Sequence, residues 1–568
     1  MAFRPNSVYT SAMPQKPLRL CLVDFHPLLV PVFRQLGHEV LDIATHSVPV
    51  FDIARELEAR QFRPDALIQR ENLADRSLLA GLDRLDCPCL FWAVDPHLNA
   101  HWQSAYARLF DMTCSTQQSW MPALRERGAT DVRWMPWFGV PDGCPPWKDR
   151  KHGLAFVGRV TPARPVRQWL VNFLGQAGHD MNPAFADSLS FPDMMALYRD
   201  TRIAPNESIL GEVNFRLFEA ASAGCLVLGQ SLGPEQELLF EPGREFDTYS
   251  HVIELEEKIR RYANTPRLAR TMGRAACERV RAEHLPVHRV ERFVQYVRDA
   301  VQCRSKGRDA EKWLFLTTSL LAEAGLMESD PAVLSCGLAS FPHDPDMAEA
   351  RLRTLRRAKD RQGVACMLRE LAASREFADS LRVNLTASLA ALWLGESGSH
   401  WDMARQFHVF QTQSGNQVRH ELPDSPGRLR LFWAGELRRQ GRIMRGGFPF
   451  DAGTHIPATA SECLLAHLDS QPCDAEALRL LDSLLRPIPG MEQTRIGFLS
   501  LLTLAQPDDW RLGLEAGLAN LKAYRLSAGL EELALARSLA ERHGALKRFD
   551  TVLQARDSSG LITERLKK

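Results

Sequence analysis

Between residues 18 and 135, short apolar runs alternate with segments of helical period. The strand-like runs fall at residues 18–24, 38–43, 64–69, 89–94, 112–115 and 132–135. They are brief and nearly continuously apolar, as strands of a parallel sheet covered on both faces are. Helical patterns lie between them at residues 31–36, stopped by Gly37, at 73–85 and at 118–127. Strand and helix alternating in this order predict one doubly wound parallel sheet.

A Pro- and Gly-rich stretch, residues 136–146, then breaks the pattern and reads as an interdomain linker. A strand at 154–158 opens a second unit, whose centre is the segment GEVNFRLFEAASAGCLVLGQSLGPEQELLFEPG at 211–243. Gly211 to Asn214 are turn and cap residues, Phe215 to Ala223 are helix-compatible, Gly224 supplies a left-handed stop, and 225–229 is a buried strand. Helical patterns at 252–263, 266–283 and 286–301 complete the unit.

Beyond residue 305 the pattern is helical throughout, in pieces at 311–324, 331–340, 347–356, 363–374, 380–394, 401–411, 461–468, 475–485, 494–505, 510–524 and 531–543. Short helices in apparent pairs predict a tetratricopeptide-like solenoid or a related bundle. Residues 412–459, rich in Gly, Pro, Arg and Gln, read as an irregular insertion or a loop packed on the repeats. The expected division is a disordered tail at 1–17, α/β domains at 18–145 and 146–304, and an all-α helical-repeat domain at 305–568. A polar break near 303–309 leads to the expectation that a 1–304 fragment keeps its own cores.

Composition narrows the function classes. The chain of 568 residues carries 70 basic and 69 acidic side chains, so no global field favours nucleic acid or an anionic membrane. No apolar run approaches the roughly 18 residues of a membrane span, and the first sixteen residues lack a signal-peptide core, so a cytoplasmic protein is expected. The twelve cysteines are scattered, most of them in apolar runs as at Cys21, Cys225 and Cys366, and are expected as buried free thiols. Cys87 and Cys89 form the closest pair, with no second pair at zinc spacing, and no metal site is predicted.

Candidate chemistry gathers at predicted strand ends, where open α/β sheets bind ligands. Glu219 lies on the 215–223 helix, and a carboxylate there can accept two ribose hydroxyls. Asn214 caps that helix or caps it and also reaches a ligand. Arg216 sits in the first turn, where the helix dipole disfavours a cation and calls for a compensating anion such as a diphosphate. Gly158, Arg159 and Arg164 follow the 154–158 strand. In the first unit, Asp95 ends a strand and either caps the next turn or acts as a general base, with His97 and His101 as alternative bases. Asp24, His26 and Glu71 are weaker cleft-facing candidates, and Cys114 and Ser115 have no His/Asp spacing to support a nucleophile.

Asn214-x-Arg216-x-Phe218-Glu219-Ala220, then Ala223-Gly224, a strand and Glu237-x-x-Phe240-x-Pro242-Gly243-x-Glu245, resembles the donor-domain signature of glycosyltransferases related to the spore maturation protein CgeB, relatives of the group 1 transferases. The resemblance extends through Tyr249 to Glu283-His284 and His288-Arg289, and the segment from Trp92 through Asp95 and Pro96 is similar to an element of their N-terminal domain. Group 1 transferases often carry two glutamates with seven residues between them. Here position 211 is Gly and Glu212 leaves six, so Glu219 alone is carried over. The resemblance implies a GT-B plan of two Rossmann-like domains, a nucleotide-sugar donor on the second, and Gly158, Arg159 and Arg164 near its diphosphate. It implies a metal-independent sugar transfer to an acceptor hydroxyl of a protein or cell-surface glycan, with no cofactor beyond the donor. The helical region is expected to serve the acceptor or a protein partner. A non-catalytic scaffold on a degenerate transferase fold is the alternative.

Overall fold

The computed structural model describes residues 16–567 except 47, 75, 142, 143, 163 and 415–421. The expected tail at 1–17 therefore lies almost wholly outside the described residues.

The first unit is a six-stranded parallel sheet in the order Glu39–Ile43, Arg19–Val23, Ala66–Arg70, Cys89–Ala93, Met112–Ser115, Val132–Trp134. Register pairs such as Leu22 with Ile68 and Ile68 with Leu90 stack apolar side chains that are fully buried. The second unit is a five-stranded parallel sheet in the order Ala184–Ala186, His152–Val157, Thr201–Asn206, Leu226–Gln230, Asp247–Tyr249. Fourteen helices from Gly307–Glu323 to Leu561–Lys567 follow among the described residues. Many pack as antiparallel neighbours in sequence, such as Leu381–Leu394 with Gly398–Ser414 and Trp510–Lys522 with Leu526–Arg542. No helix among the described residues is long and apolar enough to cross a membrane.

Three local expectations are corrected. Residues 73–85 are not a helix: Leu78–Ala80 is a strand paired with Val50–Asp52, and only Leu82–Arg84 makes a helical turn. Gly81 stands between them at φ +80°, a conformation that ends both elements. Within 412–459, Pro426–Arg439 is a full helix, started by Ser425 accepting from the Arg428 amide and buried through Leu429, Trp433 and Leu437. In sequence its apolar positions are interrupted by Arg428, Arg438 and Arg439, which the helix carries on its exposed side. Cys366 is exposed, because it falls on the outer face of the Arg361–Ser374 helix whose inner face is Val364, Met367, Leu368 and Leu371.

The three regions share cores. One cluster joins the two sheets through the crossing segment: Met135, Trp137 and Phe138 pack with Leu22, Trp92, Phe218 and Val227. The helix Pro286–Asp299 returns to the first sheet, with the Phe293 ring 5.2 Å from Trp92 and 5.5 Å from Phe25. A second cluster puts Trp313, Leu316 and Leu321 of the helical region against Cys21, Leu67, Phe91 and Trp102 of the first sheet unit. A third puts Trp510, Leu514 and Leu521 against Leu154, Phe156, Leu228 and Tyr249 of the second. This sharing removes the basis for expecting a 1–304 fragment to fold alone.

Candidate functional site

The carboxyl ends of the two sheets face each other. Gln117, just past the strand Met112–Ser115, donates through Nε2 to the Val213 carbonyl at 3.0 Å and accepts from the Val213 amide at 2.9 Å. Glu235 accepts from the amides of Gln118 and Ser119 at 2.8 and 3.0 Å. These contacts join the loop before the Phe215–Ser222 helix to the first unit and set the width of the cleft.

On the first-unit side, buried Glu71 organises the turn after Cys89–Ala93. Its Oε2 accepts from the Val94 amide at 2.9 Å, the Asp95 amide at 3.1 Å and Gln103 Nε2 at 2.7 Å. Asp95 is thus held at the N-terminus of the helix Pro96–Tyr106, yet its side chain makes no capping bond. Its carboxylate accepts no hydrogen bond among the described residues, which removes the turn-capping reading. Burial, with the charges of Glu71 and Glu212, raises its pKa from 3.8 to about 7 against the pull of Arg76 and Arg164. His97 is buried, with neither ring nitrogen hydrogen-bonded among the described residues, and its Nε2 lies 3.8 Å from Glu212. Burial holds its pKa below the ordinary value despite that carboxylate, so the imidazole is neutral. Glu212 itself stays ionised. Burial opposes this, but the Leu210 and Ile209 amides and the Ser208 hydroxyl, which all donate to its carboxylate, hold it below the ordinary range.

The weaker candidates have structural partners. Asp24 accepts from the Thr45 amide and hydroxyl at 3.0 and 2.7 Å. His26 stacks edge-on against Phe138 and Phe215, and burial followed by the Arg70 charge lowers its pKa to about 4. Ser115 donates to the Gln117 carbonyl, Cys114 is buried in the core, and His101 packs edge-on against Phe448 of the helical region.

On the second-unit side, the strands His152–Val157, Thr201–Asn206 and Leu226–Gln230 end beside a cavity of about 450 Å³ whose lining includes Arg164, Glu207, Ser208 and Gln230, with Leu98 from the first unit. Arg164 is half-buried, and its guanidinium makes no hydrogen bond or ion pair among the described residues. Burial and the neighbouring Arg167 lower its pKa, and the charges of Glu207 and Glu212 offset them only in part. Arg167 is neutralised by Glu207 at 2.8 Å and donates to the Arg159 carbonyl at 3.0 Å. Arg159 itself points outward and is exposed.

Arg216 is tied down. It donates to the Val157 carbonyl at 3.2 Å and the Glu207 carbonyl at 2.9 Å, lies over the Phe156 ring at 5.1 Å, and has the Glu207 carboxylate 3.8 Å away. The anion that its place in the first helical turn calls for is therefore already present in Glu207. Gly158 makes room for it: a Cβ there would come within 2.7 Å of the Arg216 guanidinium. Asn214 heads the helix without a side-chain cap and donates instead to the Glu207 carbonyl at 2.9 Å, leaving its Oδ1 unpaired among the described residues. Glu207, absent from the sequence expectation, is the hub of this loop. Its position just after the strand Thr201–Asn206 was the available signal.

Glu219 stands one turn beyond Arg216, 5% exposed, and its carboxylate accepts no hydrogen bond among the described residues. Burial raises its pKa to about 7, partly offset by Arg216. A buried carboxylate without donors is costly unless a ligand supplies them. Two further matched positions, His284 and Arg289, hold the crossing segment. Arg289 donates to the Pro136 and Trp137 carbonyls and to His284 Nδ1, while His284 Nε2 meets the Leu239 carbonyl at 2.9 Å, so the pair clamps the crossing segment. Among the described residues no group of three or more His, Cys, Asp or Glu side chains is placed to hold a metal ion.

No curated protein sequence matches the chain. Among solved structures, a glycosyltransferase from Rickettsia africae aligns over 50% of this chain and 99% of its own at 11% identity, TM-score 0.37. HepE of Anabaena in complex with UDP aligns over 50% of this chain and 100% of its own at 11% identity, TM-score 0.36. Sucrose-phosphate synthase of Thermosynechococcus elongatus aligns over 50% and 98% at 12% identity, TM-score 0.36. Residues 149–295, the stretch that carries Arg164, Glu207, Arg216 and Glu219, match the family model described as glycosyl transferase-like.

Proposed function

We propose that the chain is a glycosyltransferase of the two-Rossmann GT-B plan, CgeB-like in its second unit, moving a sugar from a nucleotide-sugar to an acceptor hydroxyl. The observation that carries this reading is Glu219: a buried carboxylate without a hydrogen-bond donor, inside the segment that matches the transferase family. In this reading it accepts the ribose hydroxyls and Arg164 faces the diphosphate. Gly158 and Asn214 shape the loops around the donor, and Arg216 fixes Glu207 and the end of His152–Val157. Asp95 is the general base, with the neutral His97 beside Glu212 shaping the same face. Orientation and stabilisation of the departing diphosphate by cationic groups supply the rate, without a metal. The domains run 18–145 for the acceptor and 146–304 for the donor, with tetratricopeptide-like hairpins at 305–568. The protein works in the cytoplasm.

The test is a thermal-shift and calorimetric screen of nucleoside diphosphates and their sugars on the full chain. A ligand at 100 times its dissociation constant adds about 2.7 kcal/mol of stability. Glu219→Gln is expected to weaken the nucleotide by about 1.5–3 kcal/mol, the value of hydrogen bonds to a charged acceptor. Because Glu219 titrates at about 7, parent affinity is expected to fall as the pH drops below that value, and the variant should lose this dependence. A parent that binds no nucleotide, or a variant that binds like the parent, would remove the reading or this residue respectively.

A further inference from the structure

The cavity at the strand ends is not closed by the two α/β units. Its remaining wall comes from the helical region: Gly490 to Thr494, at the start of the helix Glu492–Ala505, and Lys522, at the end of the helix Trp510–Lys522. The approach is backbone against backbone. A Cβ on Gly490 would overlap the Ile209 carbonyl, and one on Gly446 would overlap the His97 carbonyl. The Pro489 ring fills the space in front of Gly211, and Tyr524 holds the Tyr249 hydroxyl at 2.8 Å while Tyr249 donates to the Asn206 carbonyl at 3.0 Å. The helical region is thus seated on both units at the rim of the cleft, and its side chains have fixed positions relative to the strand ends.

The chemistry of the wall is selective. Arg167 is neutralised by Glu207, but the side chains of Arg164 and Lys522 make no hydrogen bond or ion pair among the described residues. Two cations whose side chains make no salt bridge, one from an α/β unit and one from the helical region, line one cavity and suit a ligand with more than one negative charge. Gln230, Gln493 and Thr494 both donate and accept, and Glu492 accepts, which is the complement of a group covered in hydroxyls.

We propose that the helical region completes the donor pocket: Lys522 is a second cation for the diphosphate, in addition to Arg164, and Glu492, Gln493 and Thr494 hydrogen-bond the sugar it carries. Selection of the transferred sugar then lies partly outside the α/β units. The inference rests on the nucleotide-sugar reading above, and its test separates the two. Calorimetry on the full chain uses inorganic pyrophosphate, then UDP, GDP and dTDP with their glucose esters. Lys522→Ala is expected to weaken pyrophosphate and the preferred nucleoside diphosphate on the order of tenfold, with Lys522→Arg restoring most of it and the melting temperature unchanged. Gln493→Ala/Thr494→Val is expected to leave the diphosphate affinity intact and erase the extra affinity of the glucose ester. Parental affinities in both the Lys522→Ala and the double variant, with Glu219→Gln still impaired, would overturn the inference and leave the transferase reading standing. Lys522-dependent pyrophosphate binding by a parent that takes no nucleoside diphosphate would overturn the transferase reading and the sugar assignment, keeping the two-cation site.

Discussion

Replacing Asp95 by Asn is expected to lower turnover about 100-fold or more, close to 2.7 kcal/mol of transition-state stabilisation, with nucleotide affinity preserved. The expectation rests on a carboxylate at a helix start that does not cap the helix and accepts no hydrogen bond among the described residues. A pKa of about 7 puts it where a base is both ionised in part and strong enough to take a hydroxyl proton. The parent rate should therefore rise with pH toward about 7 and level off above it, and the variant should lose that limb. The same shift has a stability consequence of opposite sign. Between the unfolded value of 3.8 and about 7 the native carboxyl keeps a proton that the unfolded chain has lost, so its contribution to stability falls as pH rises through that window. Parental turnover in Asp95→Asn, with an unchanged pH profile, would assign the base elsewhere in the cleft.

Ending the chain after residue 304 is expected to yield aggregated protein without a cooperative melt. The cut would strip the helix Gly307–Glu323 from the face of Pro96–Tyr106 that carries Trp102 and from Leu78–Ala80, and would take the helices Trp510–Lys522 and Leu561–Lys567 away from Val252–Asn264 and Tyr524 away from Tyr249. Each large apolar side chain returned to water costs about 1.5–3 kcal/mol, so a handful exceeds the 5–15 kcal/mol that holds a typical domain together. The junction itself is an anchor. Arg304 and Asp111 pair with neither side chain exposed, Arg304 also donates to the Leu82 carbonyl at 2.9 Å, and Asp111 accepts from the amides of Cys89 and Cys303 at 2.8 Å. In the full chain, Arg304→Ala leaves the Asp111 carboxylate buried and unpaired, and should cost about 3–5 kcal/mol. A monodisperse 1–304 fragment with a single sharp transition would show that the helical region is dispensable for folding.

The helix Phe215–Ser222 shows why some of the site was legible. Its cap position, its Gly stop and the apolar strand after it are local features, and the buried face of Leu217, Phe218, Ala220 and Ala221 follows from helical spacing alone. The residues 73–85 show the opposite case. Leu78 and Leu79 satisfy a helical period, but their partner strand Val50–Asp52 lies outside any local window. Asp95 was identifiable from its place at a strand end, and Glu219 from the motif that resembles the transferase donor signature. That their carboxylates accept no hydrogen bond among the described residues was not, because an unmade hydrogen bond is a property of the surroundings.

The sequence by itself determined the alternation of strand and helix, the break at 136–146 and the change to helices after 305, since these rest on spacing and on backbone preferences of single residues, and it carries the segment that resembles the transferase signature. Only the tertiary structure decided which groups meet. Arg216 is bound to Glu207 and two carbonyls, while the Arg164 guanidinium makes no hydrogen bond or ion pair among the described residues. Lys522 lines the same cavity as residues at strand ends far earlier in the chain. Such pairings depend on long-range packing between sheets and helices, which burial energy selects and no local pattern encodes.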